Sequence, residues 1–312
     1  MTPIQSRLTS QGFRSIIATI RKTILKAGIF MEFPKQLFLY CKVYPETYLI
    51  NHLKQLPKAR HCIIHSLSDC TTSHSLLASL SKEESLPSGL LITDTKENVP
   101  LSLFPTIGFG TNDLFGIPYV FETLDALDDD GITLAFCRFH KLPLTILETE
   151  RLILKEWCPK DGIELKKLYD SFPSSDNLPS LPNTREELRQ YLSDYQAGAY
   201  AFFGHGLWAV IEKKSNHIIG QCGIEYKERD KIGRYELQYM ITPSSQRNGL
   251  AFEMCFAVLH YAKDVLYLDK ISAFIEPCNT PSLSLIAQLG FQQSEMIIAD
   301  QKSVIVYEKQ LE

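Results

Sequence analysis

The residues best suited to chemistry form one continuous stretch, Tyr235 to Ala251, with the sequence YELQYMITPSSQRNGLA. An apolar, strand-like run leads into a turn with one arginine and one glycine, and the turn opens a predicted helix from Leu250 to Leu266. The first N–H groups of a helix lack carbonyl partners within it and carry partial positive charge. The stretch therefore predicts a turn that can bind an anion such as a phosphate group.

The turn consists of six residues: Gln246, Arg247, Asn248, Gly249, Leu250 and Ala251. Gly249 lets the backbone come close to a ligand, and the small Ala251 avoids a clash where the helix starts. The guanidinium of Arg247 adds a positive charge beside the free N–H groups. Taken alone, the turn is also compatible with an ordinary strand-to-helix connection in which glycine only supplies an unusual φ angle. The motifs on either side favour the ligand.

Four segments of the C-terminal half carry a family resemblance when they are taken together: ETERLILKEW, WAVIEKKSNHIIGQCGI, YELQYMITPSSQRNGLAFE and CNTPSLSLIAQLGFQ. Their order and intervals resemble the GNAT family of N-acetyltransferases, in the branch that includes the ribosomal-protein N-terminal acetyltransferases. The resemblance covers Glu148 to Glu312, about half of the 312-residue chain. It implies a transferase that moves an acetyl group from acetyl-CoA to an amine and uses no metal ion.

The resemblance also implies where acetyl-CoA binds. The turn would hold the pyrophosphate, and the strand before it would splay from its neighbour so that its free backbone groups accept the pantetheine arm. Pro243 cannot donate a ladder hydrogen bond, which is consistent with the end of that strand. A short helix would supply the other wall, although its first residues could instead be helix caps without a ligand. The cofactor-binding residues implied outside the turn are Leu237, Tyr239, Met240, Ile241, Asn279 and Ser282.

Acetyl transfer needs a deprotonated amine, a polarised carbonyl and a proton for the leaving thiolate. The resemblance implies that Glu236 is the base and that a backbone N–H near Tyr239 to Ile241 stabilises the oxyanion. The alternation of the strand leaves open that Glu236 is instead an outward, solvated carboxylate. No acid is assigned, because Ile286 stands where many relatives carry a tyrosine, and Ser282 or a water could serve. This gap motivates a second hypothesis, a GNAT-fold module that binds coenzyme A without catalysis.

The sequence does not identify the acceptor, since a protein N-terminus and a small-molecule amine both fit the resemblance. From Glu148 onward eighteen Lys and Arg residues face twenty-three Asp and Glu residues. This balance argues against a nucleic-acid partner and suits an amine. The segment from Phe172 to Thr184, rich in Pro, Ser and Asn, is interpreted as a lid or a surface connector. Four nearby aromatic residues line a slot or belong to the core: Tyr200, Phe202, Phe203 and Trp208.

The composition is that of a globular chain with enough apolar residues for two domains: 312 residues, 45% hydrophobic, with a formal net charge of -4. Eight cysteines occur without a CxxC pair, which predicts reduced thiols in a cytoplasmic protein and no metal site. A helix over Ser10 to Ala27 is predicted to be amphipathic with a solvated basic face; a targeting or membrane-surface segment is the alternative. No apolar run there approaches the ~20 residues of a membrane span. The oligomeric state is not predicted.

In the N-terminal half, strands and helices alternate up to a boundary near Leu142 to Leu147. Alternation of this kind predicts a small Rossmann-like parallel sheet in residues 1–146, followed by the GNAT domain in residues 147–312. The predicted elements are an apolar run (Gln36 to Tyr44), a helix (Glu46 to Gln55), a strand (His61 to Ser66), a helix (Ser73 to Leu80), a strand (Gly89 to Asp94), two short runs (Thr106 to Phe109 and Pro118 to Glu122) and a helix from Leu124.

The N-terminal half also has a faint likeness to degenerate Rossmann-like domains of the haloacid-dehalogenase type. The pair of aspartates that phosphoryl transfer needs is absent around Asp94, so no phosphatase activity is expected. Asp94 is interpreted as a helix or turn cap. The segment GFGTND, Gly108 to Asp113, lacks the third glycine of a nucleotide-binding loop. A non-catalytic role is therefore expected for this half.

In the C-terminal half the pattern predicts an α+β domain with a mixed, mostly antiparallel sheet. A polar loop from Glu228 to Gly233 is expected between its second and third central strands. The predicted elements are a strand (Thr149 to Trp157), two helices (Gly162 to Ser171 and Thr184 to Gln196), three strands (Gly206 to Lys213, His217 to Tyr226 and Arg234 to Thr242), the long helix, a strand (Lys270 to Ile275), a short helix (Thr280 to Leu289) and two closing strands (Phe291 to Ala299 and Ser303 to Lys309).

Overall fold

The computed structural model describes residues 33–67, 75, 89–97, 99, 101, 104–110, 114–173, 178–229, 232–299 and 302–311. These residues form two compact units, 33–144 and 145–311. The helix predicted over Ser10 to Ala27 lies outside the described residues, as does nearly all of the helix predicted over Ser73 to Leu80. No described helix is both long and apolar enough to cross a lipid bilayer.

The first unit is built on a parallel sheet. Its described strands and α-helices are β1 (Gln36–Tyr40), α1 (Glu46–Leu53), β2 (Ile63–Ser66), β3 (Gly89–Thr93), β4 (Thr106–Phe109), β5 (Tyr119–Phe121) and α2 (Asp129–Phe139). All neighbouring strands pair in parallel, in the order β2-β1-β3-β4-β5. Every residue of β3 is buried, as expected for a central parallel strand with cover on both faces. The predicted Rossmann-like sheet is confirmed, and its order is the flavodoxin-like one.

Asp94, directly after β3, binds the loop that follows β1. Its carboxylate accepts the backbone N–H groups of Lys42, Val43 and Tyr44 at 2.7, 2.7 and 2.6 Å. The residue is fully buried. A buried carboxylate that accepts three N–H groups stabilises a turn, because those groups would otherwise lack partners. The interpretation of Asp94 as a turn cap is therefore confirmed.

The second unit is built on a mixed sheet. Its strands and α-helices are β6 (Thr145–Glu148), β7 (Leu152–Glu156), α3 (Gly162–Asp170), α4 (Arg185–Tyr195), β8 (Leu207–Glu212), β9 (His217–Arg229), β10 (Ile232–Ile241), α5 (Leu250–Asp264), β11 (Lys270–Ile275), α6 (Thr280–Gln288), β12 (Gln292–Ala299) and β13 (Lys302–Gln310). The strand order is β12-β13-β11-β10-β9-β8-β7-β6. Among the described strands of this second sheet, only β10 and β11 pair in parallel. The predicted mixed, mostly antiparallel sheet is confirmed.

Helices cover both faces of this sheet. The apolar residues of α5 recur at helical spacing and pack on one face with the side chains of Leu237 and Ile241. On the other face, α3 and α4 pack around Trp157 and Ala209. Side chains of a strand alternate between faces, so β10 has no face that points directly to solvent. This cover determines the environment of every side chain on the central strand.

One prediction about a connection was wrong. The polar loop expected from Glu228 to Gly233 is strand for most of its length, since β9 runs to Arg229 and β10 starts at Ile232. The Tyr226 and Tyr235 rings pack at 5.3 Å, and Arg234 pairs with Glu295 at 2.5 Å. Cross-strand contacts of this kind stabilise a polar hairpin that the residue types alone identify as loop.

The division between the two units falls between Leu144 and Thr145, within the boundary predicted near Leu142 to Leu147. Strand β6 starts at Thr145 and pairs with β7.

The residues Gln196–Phe203 form a π-helical continuation of α4 that was not predicted, and it ends at Gly204 with a φ of 75°. Tertiary packing outweighs local propensity in this segment.

Candidate active site

The strand β10 separates from β11 at a defined position. Its ten residues all pair with β9, from Ile232 opposite Arg229 to Ile241 opposite Gly220. With β11, the described register contains the single pair Glu236 and Ser272. The edge of Leu237 to Ile241 that faces β11 is therefore outside the ladder. An extended ligand could add to this edge as a further strand would.

The turn after β10 is folded by its own hydrogen bonds. The Gln246 side chain donates from Nε2 to the Ile241 carbonyl at 3.2 Å, and Asn248 donates from Nδ2 to the Ser245 carbonyl at 3.4 Å. Pro243 opens a short 3₁₀ turn that ends the strand, as its missing N–H predicts. The turn is thus a preformed structure in which Gln246 to Gly249 are exposed.

Two residues of the turn have left-handed backbone conformations, Arg247 with a φ of 62° and Gly249 with a φ of 75°. A non-glycine residue in this region costs about 1–2 kcal/mol, so Arg247 maintains a strained conformation in an exposed turn. A Cβ atom at Gly249 would meet only Arg151 Nη2, at 3.5 Å. Glycine is therefore required there for its φ angle and not for space. Left-handed residues in a turn bring successive N–H groups to one side, as in anion-binding nests.

The N-terminus of α5 has no side-chain cap. Helices α2, α4 and α6 are capped by Asp128, Thr184 and Asn279, whereas α5 begins at Gly249 without such a hydrogen bond among the described residues. The first N–H groups of α5 are consequently available to a ligand. With the nearby Arg247, they suit a diphosphate better than a neutral group.

The wall formed by α6 contains a helix cap and a buried phenol. Asn279 Oδ1 accepts the Ser282 N–H at 3.2 Å, so the capping role left open for Asn279 is present. The Tyr239 hydroxyl is buried and makes no hydrogen bond of normal geometry within the described structure. Burial raises the pKa of this phenol, and the neighbouring Ser282 partly offsets the rise. The Tyr239 and Ser282 side chains thus lie close together. Ile286 is fully buried below them in the core.

Glu236 lies in the interior of the protein. Only 5% of the residue is exposed, so the alternative that it is a solvated outward carboxylate is wrong. Leu237 and Ile241 face α5, which directs Glu236 to the opposite face, beneath α3 and α4. The alternation was interpreted correctly, but the polar face of β10 is covered by helices. A buried carboxylate beside a strand opening is suited to move protons.

A second carboxylate, Glu225, stands directly opposite Glu236 on β9. The hydroxyl of Tyr195 donates to Glu225 Oε1 at 2.7 Å, and Lys227 Nζ lies 3.2 Å from Oε2. Two carboxylates in one cross-strand pair attract a cation, because they repel each other without one. Sequence reasoning missed Glu225, since its position opposite Glu236 depends on the register of β9 with β10, which the residue types do not show.

Tyrosine residues of α3 and α4 lie near Glu225. Tyr169 accepts a hydrogen bond from Gln221 Nε2 at 3.0 Å, and burial raises the pKa of Tyr169 and Tyr191. A cavity of about 20 Å³ lies between them, lined also by Trp157. It is large enough for a single water molecule. The ring face and hydroxyl of a tyrosine both favour a bound cation, so this side of β10 suits an amine.

The aromatic residues and the segment predicted to contact an acceptor lie in different environments. Tyr200 and Trp208 are buried in the core, which agrees with the interpretation of them as core residues. Phe203 is exposed, and the side chain of Phe202 lies outside the described part. Residues 174–177 of the segment Phe172 to Thr184 also lie outside it. The lid hypothesis stays a prediction.

A larger cavity than the one beside Trp157 lies elsewhere in the second unit. It has a volume of about 800 Å³ and is lined by Phe256, His260, Lys263, Gln293 and Glu308 among others. It contains none of the residues of the turn or of the β10 opening. We place the candidate active site at β10, because the strand opening, the left-handed turn and the uncapped N-terminus of α5 lie together there. No group of described residues is arranged to hold a metal ion.

Comparisons with known proteins show what the C-terminal half is similar to. Residues 151–292 match the sequence model of the family described as "Acetyltransferase (GNAT) domain". The chain is 27% identical over 165 residues to the uncharacterized protein YkkB of Bacillus subtilis (strain 168), covering 53% of this chain and 95% of that protein. It is 26% identical over 163 residues to the ribosomal protein uS5 alanine N-acetyltransferase of Escherichia coli (strain K12), covering 49% of this chain and 80% of that enzyme.

Among solved structures, a GNAT-family acetyltransferase from Bacillus anthracis aligns with a TM-score of 0.42 at 22% identity, over 52% of this chain and 96% of that chain. The family match starts at residue 151. It gives no support to the likeness between the N-terminal half and haloacid-dehalogenase domains.

Proposed function

We propose that this protein, whose residues 151–292 match the GNAT acetyltransferase domain, is an acyltransferase that transfers an acetyl group from acetyl-CoA to a primary amine by direct attack in a ternary complex. The observation that supports this most strongly is the position of the strand opening. The free edge of β10 leads directly into a left-handed turn and an uncapped helix N-terminus. The arm and the diphosphate of one ligand could use these features in succession.

The residues present fit acetyl-CoA. The turn from Gln246 to Ala251 would hold the diphosphate through backbone N–H groups, and Arg247 would add a cation. Leu237, Met240 and Ile241 would offer backbone groups to the arm. Tyr239 would lie beside the thioester, and Asn279 with Ser282 would form the opposite wall. When bound, acetyl-CoA supplies the activated acyl group.

The chain's own residues would direct the proton and the developing charge. The amine nitrogen attacks the carbonyl carbon, a C–N bond forms, and the C–S bond breaks with its electron pair on sulfur. Glu236 takes the amine proton through a water, and a backbone N–H near Tyr239 to Ile241 stabilises the charge on the carbonyl oxygen. Ser282 or a water protonates the thiolate, which is a tolerable leaving group because a thiol pKa is about 8.5.

The acceptor class that we propose is a cationic primary amine, either a protein N-terminus or a small molecule. Glu225 and Glu236 lie opposite each other, and the Tyr195 hydroxyl donates a hydrogen bond to Glu225. This arrangement would attract an ammonium group and offers no basic surface for a nucleic acid. The likeness to an enzyme named for the alanine of ribosomal protein uS5 supports a protein N-terminus as one candidate.

A second candidate function is a GNAT-fold module that binds coenzyme A without catalysis. The buried Ile286, at the position of the tyrosine carried by many relatives, favours it. Thiol release from acetyl-CoA across a panel of peptides and small amines separates the two functions. Turnover with any amine supports the acetyltransferase, whereas cofactor binding without thiol release supports the module.

For the N-terminal residues 1–146 we propose a separate α/β domain with no part in acetyl transfer. The carboxylate of Asp94 is engaged by three backbone N–H groups, which accounts for it as a structural residue. A cytoplasmic location is also proposed, because all seven cysteines in the described residues are free thiols. Removal of residues 1–144, which leaves β6 intact, tests the first proposal. An unchanged rate of acetyl transfer in the remaining chain would support it, and a lost rate would contradict it.

A further inference from the structure

Three side chains of the second unit connect the start of β7 to the turn before α5. Arg151 donates from its backbone N and from Nε to the two carboxylate oxygens of Glu253, at 2.9 and 2.6 Å. Thr149 Oγ1 donates to the same carboxylate at 2.5 Å. We call Thr149, Arg151 and Glu253 the clamp. It brings together residues about a hundred positions apart and ends at the turn that we propose for the diphosphate.

The clamp also holds one peptide bond of the turn. Arg151 Nη1 donates to the carbonyl oxygen of Asn248 at 2.9 Å. In a planar trans peptide the carbonyl and the next N–H point in opposite directions. Because the Asn248 carbonyl points to Arg151, the Gly249 N–H must point away from it. That N–H has no hydrogen-bond partner within the described residues.

The clamp fixes the orientation of the peptide bond between Asn248 and Gly249, and does not only place a positive charge beside it. The planar guanidinium uses Nε for Glu253 and Nη1 for Asn248, a fork that the single ammonium of a lysine cannot reproduce. Partial burial of Glu253 acts to raise its pKa, but hydrogen bonds from Thr149 and Arg151 outweigh this and lower the pKa. The carboxylate therefore stays ionised and keeps Arg151 in place near neutral pH.

We infer that Arg151 is a positioning residue for the cofactor: by holding the Asn248 carbonyl, it aims the Gly249 N–H at the diphosphate of acetyl-CoA. The inference rests on the proposed function. It predicts that Arg151 matters for donors that carry a diphosphate and not for donors that lack one.

The test measures the Kd of acetyl-CoA by calorimetry for the wild-type protein, Arg151→Gln and Arg151→Lys. Both variants should bind about tenfold more weakly, the order expected for a misdirected charge-assisted hydrogen bond. Lys270→Gln is the matched control. Its ammonium pairs with Glu308 at 3.0 Å and is 45% exposed, against 46% for Arg151, but it lies on β11 away from the turn. The control should bind as the wild type does.

A second measurement excludes general damage to the fold. Thiol release is measured with acetyl-pantetheine, a thioester donor without the diphosphate, and Arg151→Gln should then match the wild type in kcat/KM. The double variant Arg151→Gln with Glu253→Gln should bind acetyl-CoA no more weakly than Arg151→Gln alone. Each change removes the same contacts between Arg151 and Glu253, so their effects do not add.

Two results would overturn the inference: wild-type affinity in Arg151→Lys, or an equal loss in Arg151→Gln with both donors. The first would show that charge alone suffices, and the second would show that the damage is not specific to the diphosphate. Failure of the wild-type protein itself to bind acetyl-CoA would instead refute the proposed function.

Discussion

Replacing Gly249 by alanine tests whether the shape of the turn, and not only its composition, binds the cofactor. Gly249 has a φ of 75° and a ψ of 0°. A Cβ atom there would make one ordinary contact, 3.5 Å from Arg151 Nη2, so no steric clash is expected. The cost is the left-handed conformation itself, about 1–2 kcal/mol for a residue with a Cβ. For a unit of this size, that corresponds to a decrease in Tm of about 2–8 °C.

The effect on binding should exceed the effect on stability. With alanine at position 249, the backbone relieves its strain by leaving the left-handed region. This movement would turn the N–H of residue 249 away from the diphosphate. The loss of a hydrogen bond to a charged group is expected to weaken acetyl-CoA binding by about tenfold to a hundredfold. Calorimetry with acetyl-CoA gives the Kd, and thermal unfolding followed by circular dichroism gives the Tm.

The chain offers a matched control in Gly204, which has the same φ of 75° and ψ of 0° and no atom within 4 Å of its added Cβ. Gly204→Ala should lower the Tm by a similar amount and leave the Kd of acetyl-CoA unchanged. If both variants bind acetyl-CoA equally well, or lose affinity equally, the turn has no specific part in binding and the reasoning is refuted.

Three further predictions concern single carboxylates. Glu236→Gln should lower kcat about 10²- to 10⁴-fold with little change in the Kd of acetyl-CoA, and an unchanged rate across pH would remove this residue from the mechanism. Asp94→Asn should lower the free energy of unfolding by about 2–3 kcal/mol without changing acetyl-CoA affinity, because one acceptor oxygen of the side chain is replaced by a donor NH₂ group. Denaturant titration measures this loss. Wild-type stability in the variant would contradict the capping role. The pKa of Glu253 is lowered in the folded state, so its contribution is present above the unfolded pKa and is lost as pH falls through the folded pKa. Thermal unfolding between pH 3 and 7 should show this acid-dependent loss in the wild type and a smaller one in Glu253→Gln; identical profiles would argue against an ionised clamp.

The elements with strong local signals could be predicted closely from the sequence. The strands Thr106–Phe109 and Lys270–Ile275 have the predicted bounds, and α5 starts at the predicted Leu250. Each of them combines a continuous apolar pattern with turn residues at its ends, so hydrophobic periodicity and chain breaks suffice. The residues from Glu228 to Gly233 lack that pattern, and their strand pairing depends on the facing strand.

The turn before α5 could be predicted for the same reason, because its six residues are contiguous. The burial of Glu236 could not, since it depends on α3 and α4, which lie elsewhere in the chain and cover the polar face of β10. Glu225 and Arg151 were missed because each acts through a partner that is distant in sequence. Periodicity assigns a side chain to a face of its own element, and only packing shows what lies opposite that face.

The most direct test of the central claim is calorimetric titration of the wild-type protein with acetyl-CoA at neutral pH. The account predicts saturable binding with one site per chain and a Kd in the micromolar range, because the β10 edge and the uncapped α5 N-terminus would engage one ligand together. The absence of heat up to millimolar acetyl-CoA, confirmed by an unchanged Tm in its presence, would contradict the claim.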